Sequence, residues 1–88
     1  MTDQEALDLL KKEGYEKTFI VPMESGFDTG EHTHDVPTVH LILEGELIIV
    51  DPKGTQVYRA GDRVEFSAGT THGARSGNGR MRMAVGMK

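Results

Sequence analysis

Histidine is the residue type through which this sequence could hold a metal ion. The stretch EHTHDVPTVHLILEGE, residues 31–46, contains His32, His34 and His40, and His72 follows later in the chain. On an extended segment, His32 and His34 project from the same face with their Cβ atoms about 6.5–7 Å apart. With their Cβ atoms this far apart, the two imidazoles can each place a ring nitrogen about 2.0–2.1 Å from the same ion. The His-x-His pair therefore predicts a metal site on a strand, since a helix would need its ligands four residues apart.

The absence of cysteine narrows the chemistry open to the chain. Without thiols there are no disulfides, thiolate nucleophiles or Cys-based zinc sites, so imidazole and carboxylate groups are the remaining strong metal ligands. The net charge is −4 at pH 7, and no cluster of Lys and Arg is dense enough to follow a phosphate backbone. We therefore expect no nucleic-acid partner.

The first 14 residues, MTDQEALDLLKKEG, predict a short helix. Thr2 and Glu5 have the spacing of a capping box, and a glycine at position 14 supplies a stop. Ala6, Leu7 and Leu10 form an apolar stripe between them. The segment lacks the basic start and apolar core of a signal peptide, and no apolar run approaches the roughly 18 residues that cross a bilayer. We therefore expect no membrane association and a cytoplasmic protein.

From residue 15 onward, short β-rich runs alternate with turn residues. The runs are KTFIV, TVHLIL, ELIIVD, TQVYR, RVEF, THGAR and MRMAVGM. Separators such as SGFDTG, DPKG and SGNG supply the Gly, Asp, Asn and Pro that tight turns need. This spacing predicts an all-β antiparallel sandwich or barrel. Because 88 residues leave room for one domain, we expect a helix over residues 1–14 packed on a barrel over residues 15–88.

Alternation along the strands predicts which faces are buried. In RVEF, Val64 and Phe66 alternate with charged residues, and in MRMAVGM the residues at 81, 83, 85 and 87 alternate with a face that we expect to be wet. By contrast, TVHLIL and LIIV are apolar on both faces. We expect these central strands to be covered on both sides, by the helix or by a second subunit.

Two linked motifs resemble those of the cupin superfamily. The first cupin motif is Gly, five residues, His-x-His, three or four residues, Glu, six residues and Gly, and it is matched by Gly26, His32, His34, Thr38 and Gly45. The second is Gly, five residues, Pro-x-Gly, two residues, His, three residues and Asn, and it is matched by Gly61, Ser67, Gly69, His72 and Ser76. Thr38, Ser67 and Ser76 depart from the Glu, Pro and Asn of the family. The resemblance implies a small antiparallel β-barrel of jelly-roll type with a divalent metal at its centre.

By this resemblance, His32, His34 and His72 are metal ligands, whereas Thr38 replaces the family's glutamate with a poorer ligand. His40 lies two residues further along the same strand and therefore on the same inward face. Three alternatives are open. His40 replaces the glutamate in a four-histidine site, or three histidines hold the metal while His40 acts as a hydrogen-bond partner or proton acceptor, or the site is empty.

A histidine-only site leaves the charge of the ion uncompensated, which favours small anionic ligands and acidifies bound water. Imidazole does not select one metal, so Zn, Fe, Ni and Mn are all candidates. The resemblance implies dioxygenase, lyase or isomerase chemistry, and the alternative is a non-catalytic module that binds or senses a small molecule. We also expect a homodimer, which would cover the doubly apolar central strands.

Overall fold

The structure is a computed structural model that describes all 88 residues. One helix precedes eight strands: α1 (Asp3–Lys12), β1 (Lys17–Met23), β2 (Asp28–Thr33), β3 (Thr38–Glu44), β4 (Glu46–Asp51), β5 (Gly54–Arg59), β6 (Arg63–Phe66), β7 (Thr71–Ser76) and β8 (Met81–Met87). The strands form two four-stranded antiparallel sheets, with the orders β1-β8-β3-β6 and β2-β7-β4-β5. The predicted all-β jelly-roll barrel with a short N-terminal helix is confirmed.

Strand β2 was predicted only in part, because the His-x-His pair was placed on a strand whereas residues 28–30 were assigned to the turn segment SGFDTG. Its residues are mostly polar and exposed, so they give no alternating apolar signal. Tertiary pairing forms the strand instead, because Glu31, His32 and Thr33 pair in register with Gly73, His72 and Thr71 of β7. A shift in register between residues 28 and 31 separates this paired segment from the start of the strand.

The predicted capping box begins α1. The backbone N–H of Thr2 donates to the Glu5 carboxylate at 2.8 Å, and the backbone N–H of Glu5 donates to the Thr2 hydroxyl at 3.1 Å. The predicted apolar stripe faces the protein, with Ala6 and Leu10 fully buried. It packs on the outer face of the first sheet, in a cluster with Tyr15, Val39, Leu41 and Ala84.

Ion pairs join both ends of the helix to the same sheet. Asp3 pairs with Arg82 near the start of α1, and an Nη1–Oε2 contact of 3.0 Å joins Arg63 to Glu13 after its end. All four side chains are about one-third or more exposed, so these pairs add only modest stability, of the order of 0–1 kcal/mol each. The buried apolar stripe holds the helix, and the ion pairs fix its direction across the sheet.

The prediction of a solvent-exposed outer face on β8 is wrong, because the helical segment covers that face. Ala84 and Gly86 lie on that face and are buried beneath the helical segment. A Cβ added at Gly86 would lie 2.9 Å from the Tyr15 ring and 3.0 Å from Val39, so only glycine allows this contact. The alternation gave the wrong face because Ala and Gly are weakly apolar, so a face that carries them beneath a helix resembles an exposed face in the sequence.

Strand β3 is covered on both faces, whereas β4 is covered on one. Val39 and Leu41 of β3 pack against the helix while Ile42 faces the other sheet, so the prediction of cover on both sides is confirmed for β3. In β4, however, Leu47 and Ile49 are buried between the sheets, whereas Val50 is 39% exposed on the outer face. Within one chain β4 is covered on one side only, because the helix lies across the other sheet, and cover of β4 by a second subunit stays a prediction.

The space between the sheets is the main core and holds the inward side chains of both. It contains Met23, Ile42, Leu47, Ile49, Ala74, Met81, Met83 and Val85, with Phe66 and Tyr58 packed at its margin. Gly45 closes the β3–β4 hairpin beside this core, with φ of 76° and an added Cβ only 2.3 Å from the Arg80 carbonyl oxygen. The α1 helix is too short and too polar to span a membrane.

Candidate metal centre

Three histidines converge at one end of the space between the sheets. His32 on β2 and His72 on β7 are direct partners across the strand pair, and their ring centroids are 4.5 Å apart. His34 follows the end of β2, with its ring 4.9 Å from that of His32 and 6.0 Å from that of His72. One ring nitrogen from each of the three lies within 4.8 Å of the other two. The register of two adjacent strands therefore builds the cluster.

The three imidazoles fit a divalent transition metal. Nitrogens bound to one ion in tetrahedral geometry at about 2.0–2.1 Å are about 3.4 Å apart, so a contraction of the cluster by about 1 Å would bring its nitrogens to ligating distance. Both nitrogens of His72 are buried without a hydrogen-bond partner. A buried polar atom without a partner is costly, and a metal ion would supply the missing interaction for one of them.

Neighbouring groups orient two of the rings. The Nδ1 of His32 lies 3.3 Å from the Gly30 carbonyl oxygen, which can accept its hydrogen and so leaves Nε2 as the ligating atom. The ring of Phe66 stacks on that of His72 with a centroid separation of 3.9 Å and an angle of 7°. On the β2 side, the His34 carbonyl accepts from the Gly69 N–H at 2.9 Å, which ties the His-x-His segment to the turn before β7.

His40 lies beside the three-histidine cluster, on β3 of the opposite sheet. Its ring centroid is 6.1 Å from that of His72, similar to the distance between His34 and His72, although its nitrogens are not within the 4.8 Å group. It is 5% exposed, and neither nitrogen has a hydrogen-bond partner. Direct ligation by His40 stays a prediction, and its position allows it.

Comparison with known proteins identifies the family. The profile of the cupin domain family matches residues 19–86. This chain belongs to the cupin family. No curated protein matches the sequence. The resemblance of the two sequence motifs to those of cupins is therefore confirmed over most of the chain.

Solved structures share the fold of this cupin. A cupin-2 domain protein from Shewanella frigidimarina superposes with a TM-score of 0.68 at 20% identity, over 77% of this chain and 65% of its own. The DMSP lyase DddQ from Ruegeria pomeroyi superposes with a TM-score of 0.74 at 22% identity, over 81% of this chain and 36% of the lyase. The Drosophila melanogaster CENP-C cupin domain gives 0.73 at 14% identity, over 83% and 61%. The cupin described here thus spans less than two-thirds of each of these chains, and at these identities the likeness concerns the fold.

Thr38 occupies the position of the glutamate in the first cupin motif. It is 1% exposed, and its hydroxyl donates to the Val36 carbonyl at 3.1 Å. The Thr38 hydroxyl is therefore hydrogen-bonded to the backbone just before β3. Of the inward side chains of β3, His40 is the one that carries free ligating atoms.

A cavity of about 280 Å³ lies beside the histidines of this cupin. His32, His34 and His40 line one part of it, and most of the remaining lining is apolar. The lining contains no Asp, Glu, Lys, Arg or Tyr, so the imidazoles are its only titratable groups. The histidines therefore border a largely apolar space that is open to solvent on one side and of a size suited to a small molecule.

Sequence reasoning missed two aromatic residues of this cavity, Phe19 and Phe27. The signal for Phe19 was present, because Phe19, Val21 and Met23 alternate along β1 and so share one face. For Phe27 the signal is weak, since the residue lies just before β2 in a segment assigned to a turn. Its position next to Gly26 of the first motif is the one local hint.

Burial and mutual repulsion lower the pKa of three histidines of this cupin, His34, His40 and His72. Burial, followed by the charges of the neighbouring histidines, lowers the pKa of both His40 and His72 from 6.5 to about 4. Burial and then His32 also lower the pKa of His34. Neutral imidazole is the form that binds metals, so the metal-free site is ready for an ion at neutral pH.

These shifts predict that the metal-free protein loses stability as the pH falls from about 6.5 to about 4. In that window the unfolded chain binds protons at His40 and His72 that the folded chain does not, so stability falls with pH and the loss is complete near the folded pKa. Urea unfolding in the presence of a chelator should show this decline. The lowered pKa values of Glu5 and Glu13 act only below their ordinary 4.5, outside most of this window. A His40→Gln variant should show a shallower decline, and an unchanged slope would contradict the assignment.

Proposed function

We propose that this cupin binds one divalent transition metal ion through His32, His34 and His72, with His40 as the fourth ligand, and presents it to a small anionic molecule. The observation that carries the proposal is the convergence of three imidazole nitrogens within 4.8 Å around the buried, unpartnered nitrogens of His72. His40 supports a fourth position because both of its nitrogens are buried without partners. Imidazole ligands suit Zn, Fe and Ni, whereas Mn, the fourth candidate, favours oxygen ligands.

The residues around the centre have separate tasks. A bound ion would polarise a carboxylate or carbonyl group and acidify bound water. The apolar wall of the cavity offers hydrocarbon surface beside the histidines, and the stacked ring of Phe66 holds His72 in orientation. Where three histidines hold the ion, His40 is the one buried base that can accept a proton from a ligand in the cavity.

Metal analysis tests the binding itself. Protein freed of metal by a chelator and then reconstituted with Zn²⁺, Fe²⁺, Ni²⁺ or Mn²⁺ should retain about one ion per chain after desalting, as three or four imidazoles around one point require. A protein that retains no ion of any of the four would contradict the proposal.

An enzyme of dioxygenase, lyase or isomerase type is the leading use of such a centre. One neighbour in structure is named as a DMSP lyase, which supports lyase chemistry as one candidate for this chain. A non-catalytic module that binds a small molecule is the second candidate, favoured by a cavity lining with no acid–base group except imidazole. Oxygen uptake or product formation by the metal-loaded protein with diketones, thiols and hydroxy acids favours the enzyme. Ligand-induced melting shifts without product favour the module.

A homodimer is the partner state that we propose for this chain. The helix covers the outer face of the first sheet, but Val50 and Val57 on the second sheet are 39% and 42% exposed. Ile48 pairs with Val57 across the β4–β5 register, so the three side chains lie together on the same outer face. A second copy placed on this face would supply the cover that β4 lacks. Light scattering should then give twice the 9.7 kDa of one chain, and a monomer mass would contradict the dimer.

A further inference from the structure

The apolar part of the cavity is built by two paired strands, β1 and β8, of the sheet that also carries His40. Phe19 pairs with Val85, and Val21 pairs with Met83, across the β1–β8 register. Directly paired side chains lie on the same face of a sheet, so these four form one continuous apolar wall. All four line the cavity that His32, His34 and His40 also line. The space therefore has an imidazole region and a hydrocarbon region.

Phe27 lies at the solvent side of this space. Phe19 and Phe27 line the cavity and yet are 37% and 52% exposed, so they lie where the cavity meets solvent. The loop that carries Phe27 is fixed, because the Phe27 N–H donates to the Ser76 hydroxyl and the Ser76 N–H donates to the Phe27 carbonyl, both at 2.9 Å. Ser76 also donates to the Glu24 carbonyl and is 3% exposed. These hydrogen bonds hold the backbone of Phe27 in place beside the cavity.

The charges of the cavity decide which ligands it can hold. No Lys or Arg lines it, so no side chain can pair with a second anionic group of a ligand away from the histidines. An anionic group buried against Phe19, Val21 and Met83 would lack any partner, which is costly. One anionic head at the imidazole region is therefore compatible with the cavity, and a charged group at the far end is not.

We propose that the ligand is a small amphiphilic molecule with one anionic head at the histidine centre and an uncharged aliphatic tail. The tail lies against the apolar wall of β1 and β8 and against Phe27. The cavity volume of 280 Å³ is room for about nine groups of water size, at about 30 Å³ each. A monocarboxylate of about seven carbons has that number of non-hydrogen atoms. The position of the head rests on the proposed metal centre, whereas the tail site stands on the cavity alone.

Straight-chain probes measure the tail site. Carboxylates from acetate to decanoate are titrated into the Zn²⁺-loaded protein by calorimetry. Each added methylene should tighten binding about fourfold until the cavity is filled near heptanoate, and longer chains should gain little more. A flat series from acetate to heptanoate would overturn the proposal.

A parallel series separates this inference from the metal centre. Primary alcohols from ethanol to octanol carry no charge, and their binding to the metal-free protein should show the same dependence on chain length. If the protein retains no metal but the alcohols show this dependence, the metal centre is wrong and the tail site stands. If metal is retained and both series are flat, the tail site is wrong and the metal centre stands.

Two variants and one control locate the binding. Phe27→Ala should lower the affinity for heptanoate about tenfold or more while changing that for acetate little, because an aromatic wall of the tail site is lost. Val21→Phe should fill part of the cavity and move the limit to shorter chains. Leu9→Ala removes a partly exposed apolar side chain from the helix on the outer side of the first sheet, away from the cavity and from the proposed dimer face, and should leave both series unchanged. Equal losses in Phe27→Ala and Leu9→Ala would overturn the assignment, and this test remains even if Val21→Phe does not fold.

Discussion

Replacing His72 by alanine should abolish stoichiometric metal binding. His72 is the ring that connects the others, because its centroid is 4.5 Å from that of His32, 6.0 Å from that of His34 and 6.1 Å from that of His40. Loss of an outer partner of a metal ligand costs about 10–100-fold in affinity, and we expect loss of this central ligand to exceed that range. Competition with a chelator of known affinity measures the change.

Controls on the same strand separate lost ligation from lost structure. Arg75 lies on β7 with an exposed side chain on the outer face, so Arg75→Ala tests the effect of a mutation on this strand without touching the centre. It should bind metal as the native protein does. His72→Gln keeps a polar side chain in the stack against Phe66 and should still lose the ion. Native affinity in His72→Ala would remove His72 from the ligands and with it the proposed centre.

The fold was predictable where local signals and tertiary structure agree. The capping box at Thr2 and Glu5, the turn residues and the alternation in RVEF all point to the elements that form. The start of strand β2, residues 28–30, was missed because the strand forms by pairing with β7 and its own polar residues give no signal. The buried outer face at Gly86 was missed for a similar reason, since only the contact with Tyr15 shows why a glycine lies there.

The site was predictable to the extent that spacing determines it. His32 and His34 share a face through their separation of two residues, and the second motif added His72, which the β2–β7 register places opposite His32. The sequence could not show that Phe66 stacks on His72, because that contact joins two strands of different sheets. Nor could it show that Phe27 lines the cavity, which depends on how a loop is held by Ser76.

His40→Ala should weaken metal binding by about 100-fold or more. A buried imidazole with two unpartnered nitrogens beside a histidine cluster is explained most directly by ligation of the same ion. Chelator competition on the purified variant checks the change, with His72→Ala as the reference for complete loss. If the variant keeps native affinity but binds carboxylates differently, His40 lies outside the coordination sphere and contacts the ligand instead.

A second substitution can test whether His40 does the work of the family's glutamate. Thr38 lies two residues before His40 on the same inward face of β3, and both pair with residues of β6 and β8. In the His40→Ala background the space of the imidazole is free, and Thr38→Glu would direct a carboxylate towards the other three ligands. We expect this double variant to recover a large part of the lost affinity for Zn²⁺.

The matched control for this rescue is Thr38→Gln in the same His40→Ala background. Glutamine has nearly the size and shape of glutamate, but its neutral amide is a poor ligand for a transition metal. Recovery with glutamate alone would show that a charged ligand from β3 is what the site requires, and that His40 supplies the equivalent interaction in the native chain. Equal recovery with both would mean that the substitutions repair packing, because the two side chains differ in charge and not in volume. Recovery with neither, in protein that still folds, would mean that this strand position cannot reach the ion, and that the imidazole of His40 reaches it from a point that the family's glutamate does not share.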